Sequence, residues 1–206
     1  MVLPLTIGLA ATASAAAPTV VPLLAPADAQ AQYAAFLSSS GAPEDGLACE
    51  TVWPKAMLLC FQLTANNETR WVTQSDLRAW DVGVSGLAAQ VAERGKGETV
   101  SGTTLPVDGM PQTYEVYSGP WAAMAILEPE RVAAKIGSPF LAAVPVNGTV
   151  LAWRPGSKEF NQIIAVGVRE MFESQDGPVT SVIFQWTGER WAPFAEALPR
   201  PQLPPQ

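Results

Sequence analysis

The stretch that decides the fold is residues 140–153, which reads FLAAVPVNGTVLAW. Its first part, residues 140–144, is a continuous apolar run typical of a buried strand. Asn147-Gly148 is the strongest hairpin signal in the chain, because these two residue types tolerate the positive φ angles of a tight turn. Residues 150–153 then form the return strand. The stretch therefore predicts an antiparallel strand pair.

The segments on either side of this pair predict further regular structure. Downstream, Ser157 caps a helix whose apolar residues recur at helical spacing, and residues 181–191 form a final hairpin around a Thr-Gly-Glu-Arg turn. Upstream, residues 113–117 alternate as a strand. A helix opens at Glu128-Pro129-Glu130 and ends at Gly137, since proline and acidic side chains both favour a first helical turn.

The first half of the chain shows shorter elements. Residues 57–63 and 70–72 suit two strands joined by a polar turn at Asn66-Asn67. Thr73 and Asp76 match a helix-capping pattern, and a second helix follows from Ser85 to Gly95. Residues 31–37 form a short helix, whereas residues 95–112, with four Gly and two Pro, are predicted to be an exposed loop.

The element order β-β-α-α-β-α-β-β-α-β-β is dominated by hairpins. It predicts an α+β fold, with a mostly antiparallel sheet built from hairpins and helices packed on one face. Residues 30–198 form a single domain in this interpretation. The Pro-rich residues 199–206 are expected to be a disordered tail.

Residues 1–29 are predicted to be a signal peptide. The segment has no charged side chain before Asp28, and small-residue cleavage patterns occur at Ala13-Ser14-Ala15 and at Ala27-Asp28-Ala29. A disordered tail and a membrane anchor are the alternatives, but five prolines and glycines interrupt the run before it reaches a membrane-spanning length. We therefore expect an exported protein, periplasmic or secreted, with no membrane span after signal cleavage.

Cys49 and Cys60 are the only cysteines. An even count in an oxidising compartment favours a disulfide between them. The alternative is that Cys60, inside an apolar run, is a small buried core residue. No C-x-x-C spacing is present, which excludes a redox motif or a zinc ribbon of that kind.

Composition excludes several function classes. The chain has 206 residues, a formal net charge of −7 and no His, so neither a Ser-His-Asp triad nor a His-ligated metal site can form within it. The acidic balance argues against nucleic acid as a partner. Nucleophile, phosphate-loop and dinucleotide motifs are missing from the sequence, and no cofactor is predicted.

Paired carboxylates are the remaining route to catalysis, since glycoside cleavage needs only two suitably spaced acids. The candidate pairs are Glu128 with Glu130, Glu170 with Glu173, and Glu44 with Asp45. Solubility or the helix dipole explains each pair better, so a protein without catalysis is the favoured interpretation.

Residues 71–82, WVTQSDLRAWDV, resemble the V-T-x-x-D-L-x-x-W-x-V segment of the YtpQ-like family, a bacterial group of unknown function. The order of elements is similar from residue 57 to residue 194. In place of the polar or basic pair that follows Val-Pro in that family, this chain has Val146-Asn147. The resemblance implies an α+β fold and supplies no reaction.

Seven Trp are the one compositional excess, and exposed Trp can stack on sugars or anchor a protein partner. Core packing is favoured for Trp71, Trp80 and Trp153, which fall on elements with apolar neighbours. The loop residues Trp53, Trp121 and Asn147 form the candidate recognition surface. The leading hypothesis is a non-catalytic exported domain acting through protein contacts. The alternatives are a binder of carbohydrate or another envelope polymer, and a carboxylate-dependent hydrolase.

Overall fold

The computed structural model describes residues 19–41, 45–53, 55–65, 68–98 and 100–194. The strands are β1 Thr19–Pro26, β2 Cys49–Trp53, β3 Met57–Ala65, β4 Glu68–Trp71, β5 Gly102–Pro106, β6 Thr113–Ser118, β7 Phe140–Ala143, β8 Thr149–Trp153, β9 Ile183–Trp186 and β10 Trp191–Pro193. The helices are α1 Ala29–Ser40, α2 Gln74–Ala79, α3 Val84–Gly95, α4 Met124–Leu127, α5 Pro129–Ile136 and α6 Lys158–Ser174. These elements form two antiparallel sheets with helices, which confirms the α+β class.

The first sheet contains β1 to β4 and is centred on β3. Strand β1 pairs with β3 along one side, whereas β2 and β4 pair with its two halves on the other side. Six of the first seven residues of β3 are buried, as expected for a strand covered on both faces. Cys49 lies opposite Cys60 in the β2–β3 pairing, and the two are joined by a disulfide.

The second sheet has the strand order β10-β9-β7-β8-β6-β5. Strands β7 and β8 are the predicted pair, and the Asn147-Gly148 turn joins them, with Gly148 at a φ of 70°. The predicted helices α5 and α6 and the closing hairpin of β9 and β10 are also confirmed. The Ser157 side chain caps α6 by accepting a hydrogen bond from the Phe160 backbone N–H, at 3.1 Å.

Apolar clusters cover both faces of the second sheet. One face of the second sheet packs with residues of the first sheet and of α3 to α5 in a single apolar cluster. The opposite face packs against α6, which buries Phe160, Ile164 and Val168. The helices therefore cover both faces, and the prediction of helices on one face is corrected. The reason is that all four residues of β7 are buried, so both of its faces need a cover.

Three strands, β1, β2 and β5, lie where none was predicted. Strand β2 ends at Trp53, which was expected to lie in a loop. Strand β1 falls inside the predicted signal peptide, so the folded domain includes residues 19–29 and does not begin at residue 30. A continuous apolar strand has the same composition as a signal-peptide core, and Pro22 is tolerated because β1 is at a sheet edge.

Strand β5 falls inside the predicted loop, residues 95–112, which is wrong for this part of the segment. Gly102 looks like a loop residue in the sequence but is required by packing. A Cβ there would lie 2.7 Å from a Glu115 carboxylate oxygen and from the Tyr117 ring. In the part of the chain that the structure describes, none of the helices is both long and apolar enough to span a bilayer.

Candidate functional site

The structure brings Trp121 and Asn147 together and places Trp53 elsewhere. Trp121 and Asn147 line one groove of about 600 Å³, at the boundary between the two sheets. Trp53 packs its ring on Phe184 of the second sheet, with the ring centroids 4.3 Å apart. Both tryptophans are partly buried. The three residues therefore do not share one surface, and Trp53 contributes to the contact between the sheets.

The groove that contains Trp121, called here the Trp121 groove, has no charged residue among those lining it. Threonine and glutamine side chains of the first sheet form one wall, and the turn at Gly119-Pro120 forms the other. An indole beside hydroxyl and amide groups suits an uncharged polar ligand, because the ring offers an apolar face and the amides and hydroxyls offer hydrogen bonds.

Asn147 is held firmly between two cavities. Its backbone N–H donates to the Gly177 carbonyl at 2.9 Å, and the Gly119 N–H donates to the Gly148 carbonyl at 3.0 Å. A Cβ on Gly177 would lie 2.9 Å from the Asn147 side-chain nitrogen, so glycine is needed there. The Oδ1 atom of Asn147 is buried and has no hydrogen-bond partner among the described residues.

The cavity on the other side of Asn147, called here the α1 cavity, has a volume of about 670 Å³. Helix α1 contributes Gln32 and Tyr33 to its wall, and Phe172 from α6 lies across from them. Lys55 also lines this cavity. Its φ of 63° lies in the left-handed region, which is uncommon for residues other than glycine and occurs in tight turns. The cavity is therefore shared by both sheets.

Helix α1 is exposed along most of its length. It has 12 residues, none of them charged, and Ala29 is its only buried residue. The Phe36 side chain is 63% exposed and its ring centroid lies 6.5 Å from that of Tyr33, which also lines the α1 cavity. Gly41 ends the helix in a left-handed conformation with a φ of 68°. An uncharged helix with the exposed Phe36 ring, beside the partly buried Tyr33 ring, thus adjoins the α1 cavity.

The remaining tryptophans differ in burial. Trp153 is 1% exposed and Trp71 is partly buried, so core packing is right for Trp153 and only partly right for Trp71. Trp80, however, is 40% exposed, which corrects the prediction that it is a core residue. Helix α2 has only six residues, and Leu77 is the one that faces the core. Trp80 follows the helix as its C-cap and lies outside that face.

The acid pairs named from the sequence do not meet in a cavity. Glu128 is paired with Arg131 at 3.1 Å, and Glu130 is exposed. Glu170 and Glu173 are both exposed on α6. For the pair Glu44 and Asp45, residue 44 lies outside the described residues. In the described ranges, the α1 cavity, the Trp121 groove and the cavity beside Glu115 each have at most one carboxylate in their walls, and no group of three potential metal ligands is found.

Sequence reasoning missed a buried carboxylate in the second sheet. Glu115 is 3% exposed and accepts hydrogen bonds from the Thr104 hydroxyl and the Lys135 ammonium. Lys135 also donates to the Gly102 carbonyl at 2.7 Å, so it ties α5 to β5 and β6. The alternating pattern of β6 could have indicated this burial, because Glu115 lies on the same face of the strand as the aromatic residue Tyr117. This cluster borders a third cavity of about 420 Å³.

Comparison with protein-family models, with curated proteins and with solved structures found no significant match to the chain. The YtpQ-like resemblance therefore stays a prediction.

Proposed function

We propose that the protein is an exported, non-catalytic domain that acts by binding another protein through α1 and the adjoining α1 cavity. The observation that carries this proposal is the exposure of α1, a helix without charge whose Phe36 side chain is 63% exposed. Aromatic side chains beside a pocket are typical anchors of protein interfaces.

The charge distribution supports a protein partner. The chain has a net charge of −7, and α1 is a 12-residue segment free of that charge. An apolar partner that contacts α1 itself therefore desolvates no ionised group of the helix, which limits the free-energy cost of the contact, whereas the adjoining cavity offers the charged groups of Asp28 and Lys55. Anionic membrane surfaces are disfavoured as partners, because their recognition depends on Lys and Arg.

The disulfide supports export. Disulfides persist in oxidising compartments and are rare in the cytosol. The Cys49–Cys60 bond uses both cysteines of the chain and joins neighbouring strands of the first sheet. A periplasmic or secreted location would keep this bond intact.

Site-specific photocrosslinking tests the protein-contact proposal. Benzoylphenylalanine is introduced at Phe36, and at Val166 on α6 as a matched control, because both side chains are more than half exposed at 63% and 57%. We expect a discrete protein adduct of constant mass from position 36 and none of that mass from position 166. Adducts that are the same at both positions, or absent at position 36, would refute a partner on α1. An adduct of twice the chain mass would identify a second copy as the partner.

A second candidate function is the binding of an uncharged envelope polysaccharide in the Trp121 groove, favoured by the indole and amide groups that line it without any charge. The probes are neutral tetrasaccharides of glucose and of N-acetylglucosamine, with binding measured by calorimetry. Trp121→Ala is expected to abolish binding, and Trp80→Ala serves as a control at an exposed tryptophan outside the groove. Equal loss in both variants, or no binding by the unmodified protein, would remove this candidate.

We also propose that the chain is related in fold to the YtpQ-like family over residues 57–194. What supports this is the element order of that region, including the pair β7 and β8, α6 and the closing hairpin. The experimental structure of a family member would test it. A second sheet with the strand order β10-β9-β7-β8-β6-β5 is expected, and a different order would refute the relationship.

A further inference from the structure

We propose that the cavity beside Glu115, called here the Glu115 cavity, binds a small organic monocarboxylate between Lys135 and Arg154. Among the described residues, this cavity shares no lining residue with the α1 cavity or the Trp121 groove, so the inference is independent of the proposed function. Its volume of about 420 Å³ lies within the range of small-molecule sites. Two cationic side chains line it beside one buried carboxylate, and this arrangement determines the charge that a ligand must carry.

The antiparallel pairing of β6 with β8 brings Arg154 to this cavity. Ala152 lies opposite Glu115 in the register, and Arg154 follows Ala152 by two residues. Residues two apart in a strand lie on the same face, which explains why Arg154 and Glu115 line the same cavity. The Arg154 guanidinium lies beside Gly137, where an added Cβ would be 3.5 Å from its Cζ atom. Lys135, two residues before Gly137 on α5, therefore shares this wall of the cavity with Arg154.

The Glu115 carboxylate is already neutralised within the protein. It accepts hydrogen bonds from the Thr104 hydroxyl at one oxygen and from the Lys135 ammonium at the other. Lys135 also donates to the Gly102 carbonyl at 2.7 Å. Since an ammonium group has three N–H donors, one donor of Lys135 has no acceptor among the described residues. The buried acid thus positions this donor and balances its charge.

The charge of Arg154, in contrast, is not neutralised. Its guanidinium has neither an ion pair nor a hydrogen bond with any residue that the structure describes. Two cations and one carboxylate leave the cavity wall with a single positive charge, in a protein whose net charge is −7. A monoanion balances this charge, whereas a cation or a dianion does not. A carboxylate is favoured because the planar N–H fork of arginine matches its two oxygens.

Apolar side chains beside these charges accommodate the body of the ligand. Ile136 is half-buried next to Lys135, and Pro111 and Pro155 also line the cavity. An inorganic anion such as chloride would leave these apolar groups uncovered, so an organic acid is favoured. A free acid and the C-terminal carboxylate of a peptide have this chemistry in common, and the experiment below separates the two.

Calorimetric titration of the full chain tests the proposal with matched acids and amides. The probes are butyrate and N-acetyl-alanyl-alanine, each compared with its own primary amide. We expect both acids to bind and both amides to fail, because the amides have no charge to pair with Arg154. The acid that binds more tightly identifies the source as a free small molecule or a peptide C-terminus. Failure of both acids, or equal binding of an acid and its amide, would overturn the proposal.

Variants at Arg154 locate the binding. Arg154→Gln should weaken butyrate binding roughly tenfold or more, because a hydrogen bond to a charged group is lost. Arg154→Lys keeps the charge without the planar fork and should weaken binding to a smaller extent.

Arg190→Gln is the matched control for Arg154→Gln. Both arginines are exposed and have no ion pair among the described residues, but Arg190 lies outside the cavity. The control should bind butyrate as the unmodified protein does, and urea unfolding checks that all variants are folded. Unchanged affinity in Arg154→Gln, or equal losses in Arg154→Gln and Arg190→Gln, would refute the site.

Discussion

The first sheet has one interior strand, β3, whereas the second sheet has four, β9, β7, β8 and β6. A covalent bond between Cys49 and Cys60 holds an edge strand of the first sheet to β3. The second sheet has no cysteine and is covered on both faces, by α6 and by the shared core. At its β5 edge an ion pair, Glu115 with Lys135, connects the sheet to α5.

This difference shows which contacts stabilise the edge strands of each sheet. The narrow sheet has only β3 paired on both sides, and the disulfide joins the edge strand β2 to it. The wide sheet has four strands paired on both sides, and the ion pair lies near its β5 edge. The predictions below test these contributions, beginning with the largest expected effect.

Lys135→Met tests the ionic contact of the second sheet. The substitution leaves the buried Glu115 carboxylate with only the Thr104 hydroxyl as a donor. Removal of one partner of a buried pair costs about 3–5 kcal/mol, and we expect the lower end because the Lys135 side chain is 42% exposed. Urea unfolding measures the loss.

Two control variants test whether the loss of stability in Lys135→Met comes from the buried Glu115 charge. Lys96→Met breaks a pair with Glu93 that lies fully at the surface, and it should cost much less stability than Lys135→Met because solvent screens exposed charges. The double variant Glu115→Gln with Lys135→Met should recover most of the stability, because no charge then remains buried. Equal losses for Lys135→Met and Lys96→Met would show that the Glu115 contact is not a structural support.

Replacement of Cys49 and Cys60 by alanine tests the covalent link of the first sheet. The cysteines are 11 positions apart, and opening a loop of this size is expected to cost about 3 kcal/mol in the chain-entropy model. The unfolding midpoint in urea measures the change. The reduced unmodified protein is the control and should unfold together with the double variant. A double variant as stable as the oxidised protein would contradict the role given to the bond.

The elements that could be predicted from the sequence are mainly those of the second sheet. Strands β7 and β8 have a long apolar run and an Asn-Gly turn, and α6 has clear helical spacing, so local patterns were sufficient. Strand β5 was missed because Gly102 is required by its contact with Tyr117, a residue 15 positions away in sequence. Strand β1 was missed because only its pairing with β3 distinguishes it from a signal-peptide core.

The candidate site was predictable to a smaller extent. Trp121 and Asn147 lie in turns, and the structure places both on one groove. Trp53 was expected in a loop but is the last residue of β2, and its contact with Phe184 depends on the packing of the two sheets, which no local pattern predicts. The exposure of α1 was likewise not predictable, because Tyr33, Phe36 and Leu37 have the i, i+3, i+4 spacing that is typical of a buried helix face.

Asp76→Asn tests a smaller contribution next to the first sheet. The Arg70 guanidinium donates to the Asp76 carboxylate at 2.6 and 2.7 Å and lowers its pKa to about 2, and the Thr73 backbone N–H donates at 2.9 Å. The pKa of Asp76 in the folded state is below the unfolded value of about 3.9. The ionised Asp76 carboxylate therefore stabilises the fold above pH 4, and this stabilisation is lost as the pH falls toward 2. A loss of about 1 kcal/mol is expected at pH 7.

The free energy of unfolding, measured from pH 7 to pH 2, checks this expectation. The difference between the unmodified protein and Asp76→Asn should shrink below pH 4 and be small at pH 2, where about half of the Asp76 carboxylates of the folded protein are protonated. Glu93→Gln, at the surface pair of Glu93 with Lys96, controls for the loss of one negative charge. A difference that stays constant across the pH range would show that Asp76 acts without its charge.

Tyr117→Phe has the smallest expected effect at neutral pH. Tyr117 is 4% exposed, and its hydroxyl has no hydrogen-bond partner among the described residues. Removal of an unpartnered buried hydroxyl should leave stability unchanged or slightly increased. At alkaline pH the variants diverge, because burial, together with the Glu115 charge, raises the pKa of Tyr117 to about 12.

The unfolded chain ionises its tyrosines near pH 10, so the unmodified protein should lose stability between pH 10 and 12 relative to Tyr117→Phe. Tyr33 and Tyr114 are common to both proteins and cancel in the comparison. Tyrosinate absorbance of the folded protein should show one group that titrates last and is missing from the variant. Parallel pH profiles for the two proteins would mean that the hydroxyl is solvated, and that this face of the second sheet is less tightly closed than its burial indicates.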